Sequence, residues 1–401
     1  MMAHMMRSDT TTRSTRTINR WRHPLDILDK LDTRPPLPIT LTHQATISAP
    51  EPGWEPIAWN VTASADALVL CVHTADRSLA LGRNARGSAL SLLPRAIDAL
   101  FLRYRHAHLV EARPLQGLQV AFPLIELLHD GSALVCGRWC ARYPTPRSEM
   151  TAGDVDEIDD ASMEHVVERN AQVFDRSGVL TRELTIGDDV TALQVGVDGA
   201  IWAGYGDTGI FGNHGWGLRH GVPPLGESGL VRFTDTGKQA WERPRTDAWP
   251  RIAHIYALNV AGALTWEYAL SAGPVTLGPP LTTNFTLTRI GADAPRVWQS
   301  FVDGAEAIAL AGDEPGAGIL LWGGYRQDRT RCVAGILGET MIEPLRRVTL
   351  LTEQQTSLTD SGAPEHHHIH QVIGRENRLH IFADAEWWTA DVPIAQLISQ
   401  S

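Results

Sequence analysis

The sequence predicts an all-β fold, a β-propeller of six blades with about four antiparallel strands in each. A recurring turn-and-strand unit, the spacing of its copies and the spread of the tryptophans carry that prediction. Six segments share one grammar: Asp66–Cys71, Asp130–Gly137, Asp198–Gly204, Ala261–Trp266, Gly316–Gly323 and Asn377–Phe382. Each has a turn carrying Asp, Asn or Gly, which supply the positive-φ corner of a tight hairpin, and continues into Ile, Leu, Val, Cys or Trp, which suit a pleated, buried surface. The corner residues Asp66, Gly131, Gly199, Gly262, Gly318 and Asn377 lie 65, 68, 63, 56 and 59 residues apart, room for three or four strands per copy. The 13 tryptophans are spread across the copies, as expected if each blade packs a large aromatic against its neighbour.

The elements follow in order. Residues 1–36 open with five arginines and one acid in the first 24 positions and read as a disordered basic arm, leaving 37–401 as a single propeller domain. Leu37 to Ser48 alternates apolar and polar residues and is expected to complete the last blade and lock the ring. Pro94, Ile97, Leu100, Phe101 and Tyr104 have helical spacing, and Pro393 to Ser399 predicts a short terminal helix. Asp154 to Asp160 holds five acids in seven residues without the glycine turn of a calcium loop, and is read as an acidic linker between blades.

Composition excludes several classes. No apolar run approaches the roughly 18 residues of a membrane helix, and no apolar core follows the basic start as a secretory signal requires, so a cytoplasmic location is expected. With a net charge of −11 and no basic stripe beyond the arm, a nucleic-acid surface lacks its electrostatic footprint. Cys71, Cys136, Cys140 and Cys332 form no C-x-x-C pair and read as reduced core thiols. The basic residues are arginines apart from Lys30 and Lys238, neither of which sits in a recognisable motif. Triad hydrolases, zincins and phosphate-binding loops have no motif here, and the single G-x-G-x-x-G at Gly204–Gly209 lacks a following helix signal.

Two segments carry candidate chemistry. Gly204–Gly217 has six glycines in 14 residues and continues to His220. Such a density points to positive-φ turns or to backbone lying close to something. Asp207, Asn213, His214 and His220 are ligand-binding candidates at a blade mouth, as is Asn259; the alternative is a long inter-strand loop capped by Asp and Asn turns. In Glu365–His370, strand alternation would put His366, His368 and His370 on one face as ligands for a divalent metal, against the alternative of a solvated His-rich turn.

On the repeat grammar the chain resembles the broad superfamily of six-bladed propellers that includes gluconolactonase-like, strictosidine-synthase-like and NHL-repeat proteins, over roughly residues 37–392. The Trp-Asp dipeptide of WD40 blades is absent, and Gly323-Gly324-Tyr325 is a single echo of kelch. Two functions follow as expectations. One is a non-catalytic propeller binding a protein or small molecule on one face. The other, implied by the resemblance, is a metal-assisted hydrolase or lactonase at the axial channel, drawing on Asp207, Asn213, Asn259 and the His366–His370 strand.

Overall fold

The computed structural model describes residues 31–82, 91–144, 165–217, 221–246, 248–273, 284–325, 329–358 and 367–398. Six four-stranded antiparallel blades make up the ring. From the axis outwards, blade 1 runs Trp54–Val61, Ala67–His73, Leu92–Arg105 and His108–Val120, and blade 2 runs Pro123–Leu127, Ala133–Gly137, Ala171–Phe174 and Leu180–Leu184. Blade 3 is Val190–Val195, Ile201–Tyr205, Leu230–Phe233 and Gln239–Glu242; blade 4 is Ile252–Ala261, Leu264–Ser271, Phe285–Ile290 and Arg296–Ser300. Blade 5 is Ala307–Ala311, Gly318–Trp322, Cys332–Leu337 and Ile342–Leu351. Blade 6 takes Ile369–Arg375, Arg378–Ala383 and Glu386–Asp391 from the end of the chain and Thr42–Thr46 from its beginning.

All six copies of the turn-and-strand unit are the second strands of their blades; the positive-φ corner is the expected glycine at Gly131, Gly199 and Gly262 but falls on Ala65, Gly316 and Glu376 instead of Asp66, Gly318 and Asn377. Blades pack on both faces, so these strands are buried at successive positions and not at alternate ones. Leu68, Leu70 and Val72 enter one core cluster with blade 2, whereas Ala67, Val69 and Cys71 enter another with blade 6.

The same two-sided burial explains a departure from the expected helix. Pro94–Tyr104 belongs to the strand Leu92–Arg105, with Ile97, Ala99 and Phe101 facing blade 2 and Leu100, Leu102 and Tyr104 facing blade 6. Filling both faces of a strand produced the helix-like spacing. The terminal helix is present at Ile394–Ile398.

The expected closing strand divides in two. Thr42–Thr46 pairs antiparallel with Glu386–Thr389 and completes blade 6, while Leu37–Thr40 lies parallel to Val348–Leu351 as a fifth strand on blade 5. Residues 31–36, assigned to the arm from sequence, dock on blade 5: Leu31 is buried, Asp32 pairs with Arg347, and Arg346 donates to the Pro35 carbonyl at 2.8 Å. No helix among the described residues is long and apolar enough to cross a membrane.

Candidate functional site

The inner strands of all six blades converge on the axis, and their two ends differ. Toward the ends of these strands, polar side chains reach across the ring to backbone groups of other blades. Asn60 donates to the carbonyls of Ile125 (2.7 Å) and Leu193 (3.1 Å), and Gln194 donates to Leu258 and Gly374 at 3.1 and 3.2 Å. Asn259 donates to Ile308 and Glu376 and accepts from the Glu376 N–H at 2.8 Å. Arg375, on blade 6, donates to Val61 of blade 1 at 2.8 Å, to Val195 of the opposite blade 3 at 3.2 Å, and to the Glu126 carboxylate of blade 2. Glu126 and Arg375 are both buried. Burial pushes the Glu126 carboxyl up to about 7, with the adjacent guanidinium acting against the rise. Beside this polar axle lies a smaller cavity of about 170 Å³, bordered by Thr62, Val197, Gly262, Arg375 and Glu376.

At the other end the channel opens into a cavity of about 520 Å³ to which every blade contributes. Its chemistry comes from Trp59 of blade 1, Arg138 beyond the second strand of blade 2, His254 and Tyr256 of blade 4, Glu306 at the entry to blade 5, and His370 of blade 6. His254 and Tyr256 alternate on one strand and so share its axial face. Arg138 directs both Nε and Nη2 at Asp189 Oδ1, at 3.1 and 3.0 Å. Asp189 also accepts from Thr208 Oγ1 at 2.8 Å. Desolvation holds both His254 and His370 below the ordinary imidazole range and raises the Glu306 carboxyl, although Arg329 opposes that rise. Tyr256 meets Tyr325 through their hydroxyls, and burial drives its phenol well up.

The glycine-rich segment forms the rim between blades 2 and 3, and its glycines answer to contact. A Cβ on Gly206 would lie 2.1 Å from Asp189 Oδ2, and one on Gly215, at φ +89°, would lie 1.9 Å from the Arg142 carbonyl. Asp207 opens the short helix Asp207–Phe211, its backbone N–H donating to His254 Nδ1 at 3.3 Å while its carboxylate stays exposed. His214 Nδ1 bonds Asp188 Oδ2 at 3.2 Å, and the fully buried Asp188 is itself held by the Cys140 N–H at 2.9 Å. The hydrogen bond to Asp188 raises the His214 proton affinity. Asn213 is exposed beside it, 3.5 Å from His214 Nε2.

The sequence candidates are thus separated. Asp207 stands at the cavity edge, Asn213 and His214 sit on the rim, and Asn259 is fully buried in the axle with its amide engaged by backbone. His220 and His366 lie outside the described residues, as does Asp154–Asp160. His368 and His370 meet edge to face at 4.7 Å, His370 stacks on Trp59 at 4.6 Å, and its Nε2 donates to the Asp384 carbonyl at 2.9 Å. His367 turns to Asp384 Oδ2 at 2.7 Å. Among the described residues no three His, Cys, Asp or Glu side chains stand together as a metal site. Sequence reasoning missed Arg138, His254, Tyr256 and Glu306. The available signal was position: counting back from each hairpin corner locates the start of an inner strand, where a polar residue faces the axis.

No protein-family model and no curated protein sequence matches the chain. Solved structures with similar folds include virginiamycin B lyase from Staphylococcus aureus, at 9% identity over 88% of this chain and 98% of that one, with a TM-score of 0.41. Hydrazine synthase of Kuenenia stuttgartiensis is similar at 9% identity, 87% and 98% coverage and 0.40, and a gluconolactonase from Xanthomonas campestris at 12%, 90% and 98%, and 0.33. Similarity this distant bears no argument about chemistry; the six blades stand on the strand topology itself.

Proposed function

We propose that the protein binds a small polar molecule in the axial mouth. The observation that supports this reading is a cavity of about 520 Å³ in which Arg138, His254, Tyr256, Glu306 and His370 converge from different blades around Trp59. The volume falls within the range of about 300–1,000 Å³ usual for small-molecule pockets, and convergent polar groups are what orient such a ligand. Arg375 bonds across the axis on the far side, to Val61 and Val195. The test is ligand-observed NMR with a library of small polar fragments, on the wild type and on Ala192→Phe, which fills the cavity from its blade 3 wall. Binding lost in the filled variant supports the reading. Fragments that bind both proteins equally, or a library without hits, overturn it.

A second reading, a metal-assisted hydrolase, draws on the adjacent His368 and His370 rings at 4.7 Å. Metal content of the untagged protein by inductively coupled plasma mass spectrometry, compared with a His368→Ala/His370→Ala variant, decides it: a near-stoichiometric metal lost in the variant supports this reading, and a metal-free wild type removes it.

A further inference from the structure

We infer that the ligand of the axial mouth is a small organic cation, with an ammonium head held by Glu306 against the Tyr256 wall; this rests on the binding reading above. Charge accounting around the cavity leads there. Among the described residues Arg138 is the one arginine lining it, and its Nε and Nη2 both converge on Asp189 Oδ1 while its Cζ lies 5.0 Å from the Trp139 ring centroid. That guanidinium has its charge matched by a carboxylate and its face set over an indole. His254 accepts from the Asp207 N–H, so its Nδ1 carries no proton there, and desolvation keeps both His254 and His370 toward the neutral form.

The acids face the other way. Among the described residues the Glu306 carboxylate makes no side-chain hydrogen bond and no ion pair, although it lines the cavity, with Arg329 the cation that acts on it. Asp207, exposed and outside the lining, has Oδ1 4.0 Å from His254 Nδ1, where it accepts from the Thr208 N–H. Glu306 is exposed at the cavity, its carboxyl raised by the surrounding protein against Arg329, and a cation entering there would pair with it directly.

The wall completes the arrangement. Tyr256 lies 4.3 Å from His254, 5.5 Å from Phe285 and 5.7 Å from Tyr325, ring centroid to centroid, and Trp59 stands on the blade 1 side. Aromatic faces attract an ammonium group through their quadrupole, and do so more strongly where the ligand is desolvated. The chain's net charge of −11 favours approach of a cation over an anion.

The probes are choline, its uncharged isostere 3,3-dimethylbutan-1-ol and the anion 3,3-dimethylbutanoate, each titrated by ligand-observed NMR against wild type, Glu306→Gln, Ala192→Phe and the control Glu339→Gln, whose carboxylate pairs with Arg296 on the outer strand of blade 4. Choline is expected to bind at least about tenfold tighter than the alcohol, with that advantage lost in Glu306→Gln and kept in Glu339→Gln. Circular dichroism checks that each variant is folded. Equal binding of choline and the alcohol, tighter binding of the anion, or a twofold or smaller change in Glu306→Gln overturns the inference. If neutral fragments bind the wild type and are lost in Ala192→Phe while choline gains nothing, the cation inference fails and the binding reading stands; if no probe or fragment depends on Ala192, both fail.

Discussion

The two ends of the axial channel are made by the same six strands and differ in how their polar groups are satisfied. At the axle, Asn60, Gln194, Asn259 and Arg375 bond backbone carbonyls of other blades, and Arg375 closes on Glu126. At the mouth, Glu306 lacks such a bond among the described residues, His254 accepts from a backbone N–H, and Arg138 is balanced by one carboxylate. Saturated, buried polar groups fix one arrangement of the ring, whereas groups left short of partners are available to something that enters. A propeller can therefore place specificity and rigidity a few residues apart on one strand.

The contrast makes predictions of graded size. Arg375→Ala leaves Glu126 buried without its cation and removes a donor from Val61, Val195 and Val260, and is expected to lower the unfolding free energy by about 3–5 kcal/mol in urea titration. A loss below about 1 kcal/mol would show that water replaces the guanidinium and that the axle is ornamental to stability. Asn259→Ala orphans the Glu376 N–H and the carbonyls of Ile308 and Glu376, and should lower stability by about 1–3 kcal/mol by the same measurement.

His380, next along from the axle on blade 6, sharpens the contrast through pH. It is buried, and desolvation, aided by Arg378 and Arg375, pushes its pKa down to about 3. The unfolded chain takes up this proton below about pH 6.5 while the folded ring stays neutral, so this contribution to stability is present above that pH and is lost as pH falls toward 3. The expected slope is up to about 1.4 kcal/mol per pH unit within the window, and His380→Leu should flatten it in urea titrations at pH 5 and 7. At the mouth, Glu306→Gln should change stability by no more than about 0.5 kcal/mol while altering ligand binding, as chemical denaturation beside titration will show. A large stability loss there would erase the distinction between the two ends.

The blade count was legible because every second strand follows a hairpin turn and is rich in β-prone residues buried on both faces, a local signal repeated six times. The site was far less so. Glu126 and Arg375 meet across 249 residues, and Gln194 reaches Gly374 across 180, so neither partner marks the other in sequence. Glu306 reads as a loop residue before Ala307, and His254 and Tyr256 read as ordinary alternation within a strand. The glycine-rich segment did stand out, and the cause is packing: Gly206 yields to Asp189 and Gly215 to the Arg142 carbonyl. His370, singled out as a metal ligand, stands at the cavity stacked on Trp59.

Blade 6 joins the beginning of the chain to its end, and this has a mechanical meaning. Thr42 faces Thr389 and Thr46 faces Glu386, so a pull applied outward at both ends of the chain loads the Thr42–Thr389 pair first and the remaining pairs in succession. Such a seam unzips where a sheared seam would have to break all at once. The parallel strand Leu37–Thr40, riding on Val348–Leu351, stands ahead of it in the line of force and takes the load before the clasp does.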